Sequence, residues 1–355
     1  MNIKSVDLAS SRIYWGEDIF PFLGEQIKGY EKIFVLVDEN TNQFCLPEIK
    51  ALNGSINTTK IIIPSGEINK NIETVKEIWQ VMVEENATRK SLVINLGGGT
   101  VTDIGGFTAS TFMRGIPFIH IPTTLLAMID ASIGGKTGID FLNYKNYIGT
   151  FHFPASIYIY PEFLTTLGHR QLLSGFAEMV KHAIIGDAQL WDELQKIDKV
   201  NIKAIAPLVL QAMRVKIDIV KQDVKEKGIR KTLNFGHTFG HALESLALNK
   251  GEDILHGDAV ATGMLIESHL AYKKGILPEK NFFSIKKYLF KHFTHRLLDE
   301  EEEADILISL MRFDKKNSEN AIRFSLPDKT GHCLTDISAS EKEIKESIEE
   351  YLVFK

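Results

Sequence analysis

The stretch that decides the fold class is LVINLGGG, residues 92–99, because a short apolar run leads directly into three glycines. A buried strand that ends in glycines and continues into a helical pattern is typical of nucleotide-binding α/β folds, where the glycines let the backbone approach a phosphate. The spacing departs from the usual GxGxxG pattern, so an ordinary tight turn is the alternative interpretation of these residues.

Apolar runs of the same kind occur on both sides of this stretch. Residues 33–37, 61–63 and 118–121 each have the pattern of a buried strand, and residues 72–84 have the pattern of a helix. Strands that alternate with helices predict a parallel sheet with crossover helices. We therefore expect an α/β nucleotide-binding domain over residues 1–160.

Long helical stretches dominate the chain after residue 160. The helical patterns cover residues 170–185, 202–224, 238–248 and 259–274, and one strand candidate follows at 322–326. A second domain, mostly α-helical, is therefore predicted over residues 161–355.

Composition limits the classes of partner. Apolar residues make up 44% of the 355 residues and charged residues 25%, which is typical of a globular protein. The formal net charge of -5 argues against general nucleic-acid binding but permits a local cationic pocket for a small anion. No apolar run reaches the length of a membrane helix, the start lacks a signal-peptide pattern, and Cys45 and Cys333 form no disulfide framework. We expect a cytoplasmic protein that binds neither membrane nor nucleic acid.

Two histidines, His237 and His241, are spaced to lie on one face of a helix. This i, i+4 spacing suits a shared metal ion, and it nominates both side chains as ligands. Glu178 lies in an otherwise apolar helical run, and His256 opens a further helical stretch, so both are additional candidates. The alternative interpretation, which the spacing leaves open, is a pair of histidines that are solvated or satisfied in the core.

Cationic and amide side chains in the first half suit an anionic ligand. The sequence GGKTG at 134–138 lacks the GxxxxGK[ST] spacing of a P-loop, because Ala131 stands where the first glycine should be. Lys136, Arg114, Lys145 and Asn146 could still donate to a phosphate or carboxylate, although each alone could also be an ordinary surface side chain. Asp38 ends an earlier strand, where it could either accept from a ribose hydroxyl or act as an ordinary turn residue.

Taken together, the motifs resemble those of the 3-dehydroquinate synthase family of the sugar-phosphate cyclases, and the resemblance spans most of the chain. It rests on PSGE (64–67), GGG (97–99), FMRG (112–115), IPTTLLA (121–127), IDASIGGKTG (129–138), GFAEMVK (175–181), LNFGHTFGH (233–241), HG (256–257) and DKK (314–316). The order and spacing of these motifs identify the family more strongly than any single one does.

The resemblance implies an N-terminal α/β nucleotide-binding domain with a parallel sheet and a C-terminal, mostly α-helical metal-binding domain. It implies NAD and a divalent metal, zinc or cobalt, as cofactors, a homodimer, and a phosphorylated sugar acid as substrate. The implied reaction converts 3-deoxy-D-arabino-heptulosonate 7-phosphate into 3-dehydroquinate and phosphate, in the shikimate route to aromatic compounds. A hydride would be transferred to NAD before phosphate elimination and returned after it, and an aldol ring closure would follow.

The resemblance also assigns roles to individual residues. It gives the metal three ligands: Glu178, His237 and His256, with His241 lining the substrate pocket instead. The NAD contacts would be Asp38, Glu67, Lys70, Gly98, Gly99, Asp103, Thr123, Thr124, Lys136, Lys145 and Thr166. The substrate contacts would be Asp130, Lys136, Lys145, Asn146, Lys181, Lys216, Arg230, Asn234, His241, Arg114 from a neighbouring subunit, and Lys315 or Lys316.

Three positions depart from the family pattern. Thr102 stands where glycine is usual, Asp140 where asparagine is usual, and Asp258 where glutamate is usual. The alternatives to the main interpretation are another sugar-phosphate cyclase, such as a 2-deoxy-scyllo-inosose synthase or a sedoheptulose 7-phosphate cyclase, and a metal-dependent glycerol or alcohol dehydrogenase. A non-catalytic scaffold on the same fold is the third.

Overall fold

The structure is a computed structural model. It describes residues 1–52, 57–142, 144–293, 298, 303–312 and 322–354, but not the side chain of residue 354. Contacts between Cα atoms divide the chain into two compact units, Met1–Gly168 and His169–Lys355. The boundary predicted from the sequence, after residue 160, stays a prediction.

A large sheet forms the centre of the first unit. Its strands are β1 Lys4–Leu8, β2 Ser11–Trp15, β3 Ile33–Asp38, β4 Thr58–Ile63, β5 Leu92–Gly97, β6 Phe118–Pro122 and, later in the chain, β9 Ser156–Ile159; β7 Lys136–Phe141 and β8 Tyr144–Phe151 form a separate antiparallel hairpin. Within the described residues the sheet has seven strands in the order β1-β2-β9-β6-β5-β3-β4. All neighbours pair in parallel except β1 and β2, so the predicted parallel sheet is confirmed, with an antiparallel edge.

Crossover helices connect these strands. They are α1 Ile19–Gln26, α2 Glu39–Phe44, α3 Ile72–Glu84 and α4 Gly99–Thr111. The predicted helix over 72–84 has the same bounds as α3, since the Asn71 side chain caps its first turn by accepting from the Thr74 N–H at 3.0 Å. The carboxyl ends of β3, β5 and β6 are thereby followed by turns, which is where ligands bind in folds of this type.

A buried polar pair lies among apolar side chains of the sheet. Asn95 on β5 lies opposite His120 on β6, and Asn95 Nδ2 is 3.2 Å from His120 Nδ1. Burial lowers the pKa of His120 to about 3. The imidazole is therefore neutral in the folded protein, because its charged form would lose its hydration.

The second unit is mostly helical, as predicted. Its elements are α5 His169–Gly186, α6 Ala188–Gln195, α7 Ile202–Ile205, α8 Val209–Gln222, α9 His237–Lys250, α10 His256–Lys273, α11 Glu279–His292, α12 Glu303–Arg312, the antiparallel hairpin of β10 Ile322–Lys329 and β11 His332–Ala339, and α13 Glu341–Phe354.

One predicted helix is wrong as a continuous element. The stretch 202–224 consists of α7, a 3-10 turn over Ala206–Leu208, and α8, which ends at Gln222. Pro207 lies in that turn. Proline lacks the backbone N–H that a continuing α-helix needs and its ring clashes with the preceding turn, so the helix is interrupted there.

Candidate active site

The glycine-rich turn joins β5 to α4 in the first unit. Gly98 is the residue immediately before the first turn of α4, whose backbone N–H groups are available to an anion. A Cβ atom at Gly98 would lie 3.0 Å from Cγ2 of Thr124. The absence of a side chain therefore leaves room for a ligand to approach the backbone, as a dinucleotide pyrophosphate requires.

The threonine that replaces the usual glycine, Thr102, is accommodated inside α4. Its side chain is buried, and Oγ1 donates to the backbone oxygen of Gly99 at 2.9 Å. The hydroxyl is thus satisfied within the helix itself, so this departure leaves the start of α4 helical.

An ion cluster centred on the buried Lys70 lies beside this turn. Lys70 is 3% exposed, and its Nζ is 2.7 Å from Asp103 Oδ2 and 3.4 Å from Glu67 Oε1. Glu67 Oε2 also accepts from Thr100 Oγ1 at 2.8 Å. Burial alone would lower the pKa of Lys70, but Asp103, Glu67 and then Asp140 outweigh it and raise that pKa above its ordinary value. Lys70 therefore stays charged and holds the two carboxylates in place.

The remaining candidates for cofactor contact in this unit have local partners. Asp38 ends β3, and its Oδ1 accepts from the Thr41 N–H at 2.7 Å, so it caps α2. Thr123 follows β6, and its N–H donates to the Gly97 oxygen at 3.0 Å. Thr124 Oγ1 accepts from the Ala127 N–H at 3.2 Å, and Thr166 Oγ1 donates to the Phe163 oxygen at 3.0 Å.

The β7–β8 hairpin carries the predicted anion contacts Lys136, Lys145 and Asn146, all of which are exposed. Asp140 stabilises the hairpin, since its Oδ1 accepts from the Asn146 N–H at 2.7 Å, where Asn146 has a positive φ of 51°. Burial raises the pKa of Asp140 despite the attraction of Lys70. Asp130 is half-buried in a π-helical segment, Ala127–Ala131, that precedes the hairpin.

Arg114 lies in a strained turn after α4. Met113 and Arg114 have positive φ values of 50° and 70°, and Gly115 follows with 109°. Positive φ costs a residue with a side chain about 1 kcal/mol or more, and such conformations concentrate at functional sites. The turn presents the Arg114 side chain on the surface, where it is exposed.

In the second unit, three helices bring Glu178, His237 and His256 together. One ligand atom from each lies within 4.8 Å of the others. Glu178 on α5 is fully buried, and its Oε1 is 3.5 Å from His237 Nε2 and 3.4 Å from His256 Nε2. His237 and His256 are the first residues of α9 and α10, so both imidazoles project from helix N-termini.

The start of α9 is fixed by a carboxylate from α10. Gly236 precedes α9 with a φ of 79°, and a Cβ atom there would lie 2.9 Å from the Val260 oxygen. In place of a side-chain cap from the preceding residue, buried Glu267 accepts from the Gly236 N–H at 2.7 Å and from the Phe239 N–H at 3.2 Å. This contact anchors the turn that carries His237.

The two imidazoles of the cluster differ in their electrostatic surroundings. Burial, with Lys181 and the neighbouring histidines, lowers the pKa of His237 well below its ordinary value. Burial also acts to lower the pKa of His256, but Glu244 and Glu178 outweigh it and raise that pKa to about 10. The two carboxylates, Glu244 and Glu178, therefore favour a positive charge at or beside the His256 ring.

Four further predicted substrate contacts belong to the second unit. Lys181 forms an ion pair with Glu178 Oε2 and is almost fully buried, as are Arg230 and, to a lesser degree, Lys216. Asn234 donates through Nδ2 to Glu226 Oε1 at 2.7 Å. A buried cationic side chain needs charged or hydrogen-bonding partners, and Lys181 has one in Glu178.

His241 is near the cluster. Its ring centroid lies 5.3 Å from that of His237 and 6.5 Å from that of His256. The three residues that converge are Glu178, His237 and His256, which is the ligand set implied by the family resemblance rather than the i, i+4 pair. Lys315 and Lys316 lie outside the described residues.

The donor set fits a divalent cation. Two imidazole Nε2 atoms and one carboxylate oxygen are a set that zinc takes in catalytic sites, with a position left for water or substrate. The Nδ1 atom of each histidine faces an oxygen: His237 Nδ1 is 3.2 Å from the Phe235 backbone oxygen, and His256 Nδ1 is 3.4 Å from Glu244 Oε1. Such outer contacts are typical of histidines that bind a metal through the other nitrogen.

Three carboxylates of this unit were not predicted from the sequence as site residues: Glu226, Glu244 and Glu267. Glu244 could have been found, because it lies seven residues after His237 and therefore two turns along the same face of α9. Glu267 and Glu226 had no such signal, since their partners become neighbours only through the fold.

Comparison with known proteins identifies the family. The family descriptions "3-dehydroquinate synthase N-terminal" and "3-dehydroquinate synthase C-terminal" match residues 60–174 and 175–317. The 3-dehydroquinate synthase of Parabacteroides distasonis is 40% identical over 324 residues, which cover 91% of this chain and 92% of that protein.

Solved structures show the same fold. A 2-epi-5-epi-valiolone synthase from Streptomyces hygroscopicus subsp. jinggangensis 5008, with NAD+ and Zn2+ bound, superimposes with a TM-score of 0.86 at 27% identity over 100% of both chains. A 2-deoxy-scyllo-inosose synthase complexed with carbaglucose-6-phosphate, NAD+ and Co2+ gives a TM-score of 0.86 at 22% identity over 98% of this chain and 99% of the other.

None of the helices in the described part of the chain combines the length and the apolarity that crossing a bilayer would require. The order of motifs, the α/β and helical units, and the identity to a curated relative over nine-tenths of the chain agree with one another. This chain belongs to the 3-dehydroquinate synthase family.

Proposed function

We propose that this protein is a 3-dehydroquinate synthase, which converts 3-deoxy-D-arabino-heptulosonate 7-phosphate into 3-dehydroquinate and inorganic phosphate. The observation that carries the proposal is the convergence of Glu178, His237 and His256 from three helices in a chain of this family. The reaction takes place in the cytoplasm, as expected for a biosynthetic enzyme whose two cysteines are both free and buried.

The first unit binds NAD, which when bound supplies a reversible acceptor for the hydride of a secondary alcohol. The turn at Gly98 and Gly99 brings backbone N–H groups of α4 to the pyrophosphate. Asp38, at the end of β3, accepts from a ribose hydroxyl. The other proposed contacts are Glu67, Lys70, Asp103, Thr123, Thr124, Lys136, Lys145 and Thr166, and buried Lys70 acts by holding Asp103 and Glu67 in position.

Glu178, His237 and His256 hold the divalent cation, zinc or cobalt, which when bound polarises substrate oxygens as a Lewis acid. Lys181 pairs with Glu178 and keeps that carboxylate ionised and oriented. His241, one turn further along α9, donates to or accepts from a substrate hydroxyl. Lys216, Arg230 and Asn234 complete the donor set for the substrate carboxylate and hydroxyls.

The substrate phosphate is bound by Lys145, Asn146 and Arg114, with Asp130 and Lys136 as further substrate contacts. Charge-assisted bonds from lysine and arginine are the strongest available to a phosphate. We also propose that the protein is a homodimer in which Arg114 reaches the site of the neighbouring subunit. The exposed Arg114 turn with its strained backbone supports this assignment. One of Lys315 and Lys316 adds a further substrate contact.

The test is to incubate the purified protein with the heptulosonate phosphate, NAD and Zn2+ and to follow phosphate and 3-dehydroquinate together. Equal amounts of both products with constant absorbance at the NADH wavelength are expected, because the cofactor is regenerated in each turnover. Sedoheptulose 7-phosphate, the substrate of another cyclase class, serves as the control and should give no phosphate. Net NADH, or turnover of sedoheptulose 7-phosphate alone, would contradict the proposed function.

A pair of variants tests the metal assignment. His237→Ala should lose the bound cation and all turnover, while His241→Ala should keep the cation and lose turnover only. Atomic absorption of the dialysed proteins measures metal content, and circular dichroism checks the fold. Stoichiometric zinc in His237→Ala would show that this ligand is misassigned.

A further inference from the structure

Glu244 is a buried carboxylate behind one of the three converging side chains. It lies on α9, two helical turns after His237, and is 5% exposed. Its Oε1 is 3.4 Å from His256 Nδ1, while Nε2 of the same imidazole is 3.4 Å from Glu178 Oε1. The ring of His256 is therefore held between carboxylates from two different helices.

This arrangement dictates the orientation of the imidazole. An ionised carboxylate only accepts hydrogen bonds, so the ring nitrogen that faces Glu244 must be the donor. Nε2 faces Glu178 at the same distance, so without a cation both ring nitrogens would donate. A cation held between Nε2 and Glu178 takes the Nε2 lone pair and leaves the single proton of the neutral ring on Nδ1, toward Glu244. His237 has the same orientation, but its Nδ1 faces the neutral backbone oxygen of Phe235 at 3.2 Å. One difference between the two imidazoles is therefore the charge of the group that faces Nδ1: a carboxylate for His256 and a neutral carbonyl for His237.

We propose that Glu244 is a positioning residue for the cation held by Glu178, His237 and His256. Its carboxylate fixes the Nδ1–H tautomer and the ring orientation of His256 and increases the electron density on Nε2. A charged acceptor has this effect more strongly than a carbonyl, particularly where burial weakens solvent screening. The inference rests on the metal site of the proposed function.

The sharpest variant is Glu244→Gln, which keeps the shape and one oxygen acceptor but removes the charge. In metal-stripped protein, the dissociation constants for Zn2+ and Co2+ are measured by competition with a chelator. We expect the dissociation constants to rise by about ten- to a hundredfold, the usual cost of losing such an outer contact. The visible absorption bands of the Co2+ form should shift, since they report ligand orientation directly.

Glu303→Gln is the matched control. Glu303, the first residue of α12, is a buried carboxylate that forms an ion pair with Lys250, the last residue of α9. This pair lies outside the cluster of Glu178, His237 and His256. Its loss should disturb α9 without changing the metal dissociation constants or the Co2+ spectrum. Equal weakening of metal binding in both variants would overturn the proposal, because Glu244 would then act only through helix stability.

The remaining outcomes are also decisive. If the wild type binds one equivalent of Co2+ and Glu244→Gln has the same affinity and spectrum, the proposal is wrong while the proposed function stands. If the wild type binds no cation, the metal site itself is wrong. Should Glu244→Gln fail to fold, 15N-histidine NMR of the Zn2+-loaded wild type replaces it. A His256 signal protonated at Nδ1 supports the proposal, and one protonated at Nε2 overturns it.

Discussion

Replacement of Glu267 by glutamine should destabilise the second unit strongly, although the two side chains have nearly the same shape. The Glu267 carboxylate is fully buried and accepts from the Gly236 and Phe239 N–H groups at 2.7 and 3.2 Å. Glutamine can keep only one of these bonds, since its NH2 group faces the second N–H donor. The change therefore removes a charge-assisted bond and leaves a buried donor at the start of α9 unsatisfied.

The size of the effect follows from those two contacts. A hydrogen bond to a charged group contributes about 1.5–3 kcal/mol, and an unsatisfied buried donor costs about 1–3 kcal/mol. Since part of the charged bond survives as a neutral one, the expected loss in the free energy of unfolding is about 3 kcal/mol. That loss corresponds to a factor of about 100 in the equilibrium between folded and unfolded protein.

Urea unfolding followed by tryptophan fluorescence can measure this loss for the second compact unit of the chain. The chain has three tryptophans, and Trp191 is the one in the second unit, so a Trp15→Phe, Trp79→Phe background isolates its signal. Metal-stripped protein is used, because a bound cation would add its own stabilisation. A matched control is Glu193→Gln, which removes a solvent-exposed ion pair with Lys196 in the same unit and should cost under about 1 kcal/mol. A Glu267→Gln loss no larger than that of the control would refute the reasoning.

Three further outcomes are expected in the first unit. Gly98→Val should weaken NAD binding about tenfold or more, as measured by calorimetry. A Cβ atom at this position lies only 3.0 Å from the Thr124 methyl group, so the valine side chain would fill the space through which a ligand approaches the backbone. The affinity for Zn2+ should not change, and an equal loss of NAD and Zn2+ binding would indicate misfolding. Because burial lowers the pKa of His120 from 6.5 to about 3, the unfolded chain binds a proton that the folded one excludes. The free energy of unfolding of the wild type should therefore fall as the pH drops from 6.5 towards 3, by up to about 1.4 kcal/mol per pH unit. In His120→Gln, urea unfolding should show a weaker dependence of this free energy on pH. The same dependence in both proteins would contradict the pKa shift. Asp140→Asn keeps an oxygen for the Asn146 N–H but removes a negative charge, so we expect a several-fold lower KM for the phosphorylated substrate in steady-state assays, and an increased KM would contradict a role near the substrate.

Local pattern was sufficient for the elements whose residues satisfy one another along the chain. The helix over 72–84 was predicted with the bounds of α3, because its cap, Asn71, and its apolar face both belong to one continuous stretch of sequence. The buried strands β3, β5 and β6 were predicted for the same reason. The predicted helix over 202–224 was wrong because the helical pattern continues through Pro207, whose missing N–H interrupts the backbone bonding.

The family and its chemistry were also readable from the sequence. The order of motifs from PSGE at 64–67 to HG at 256–257 names the 3-dehydroquinate synthase family, and the comparisons confirm it. The individual site residues stay predictions until the variants above are measured. Helical spacing alone nominated His237 with His241, since it considers only residues on one helix.

Only the tertiary structure brings together groups that are distant in sequence. Glu178, His237 and His256 lie on three helices, and no periodicity within one helix relates them. The same holds for Glu267, whose carboxylate reaches the start of α9 from α10. The sequence by itself determined the fold class, the family and the elements with a clear local pattern, such as α3, β3, β5 and β6, because these depend on local pattern and motif order. The packing of α5, α9 and α10 decided which carboxylate stands behind which histidine, because burial forces each polar group to find a partner wherever the fold provides one.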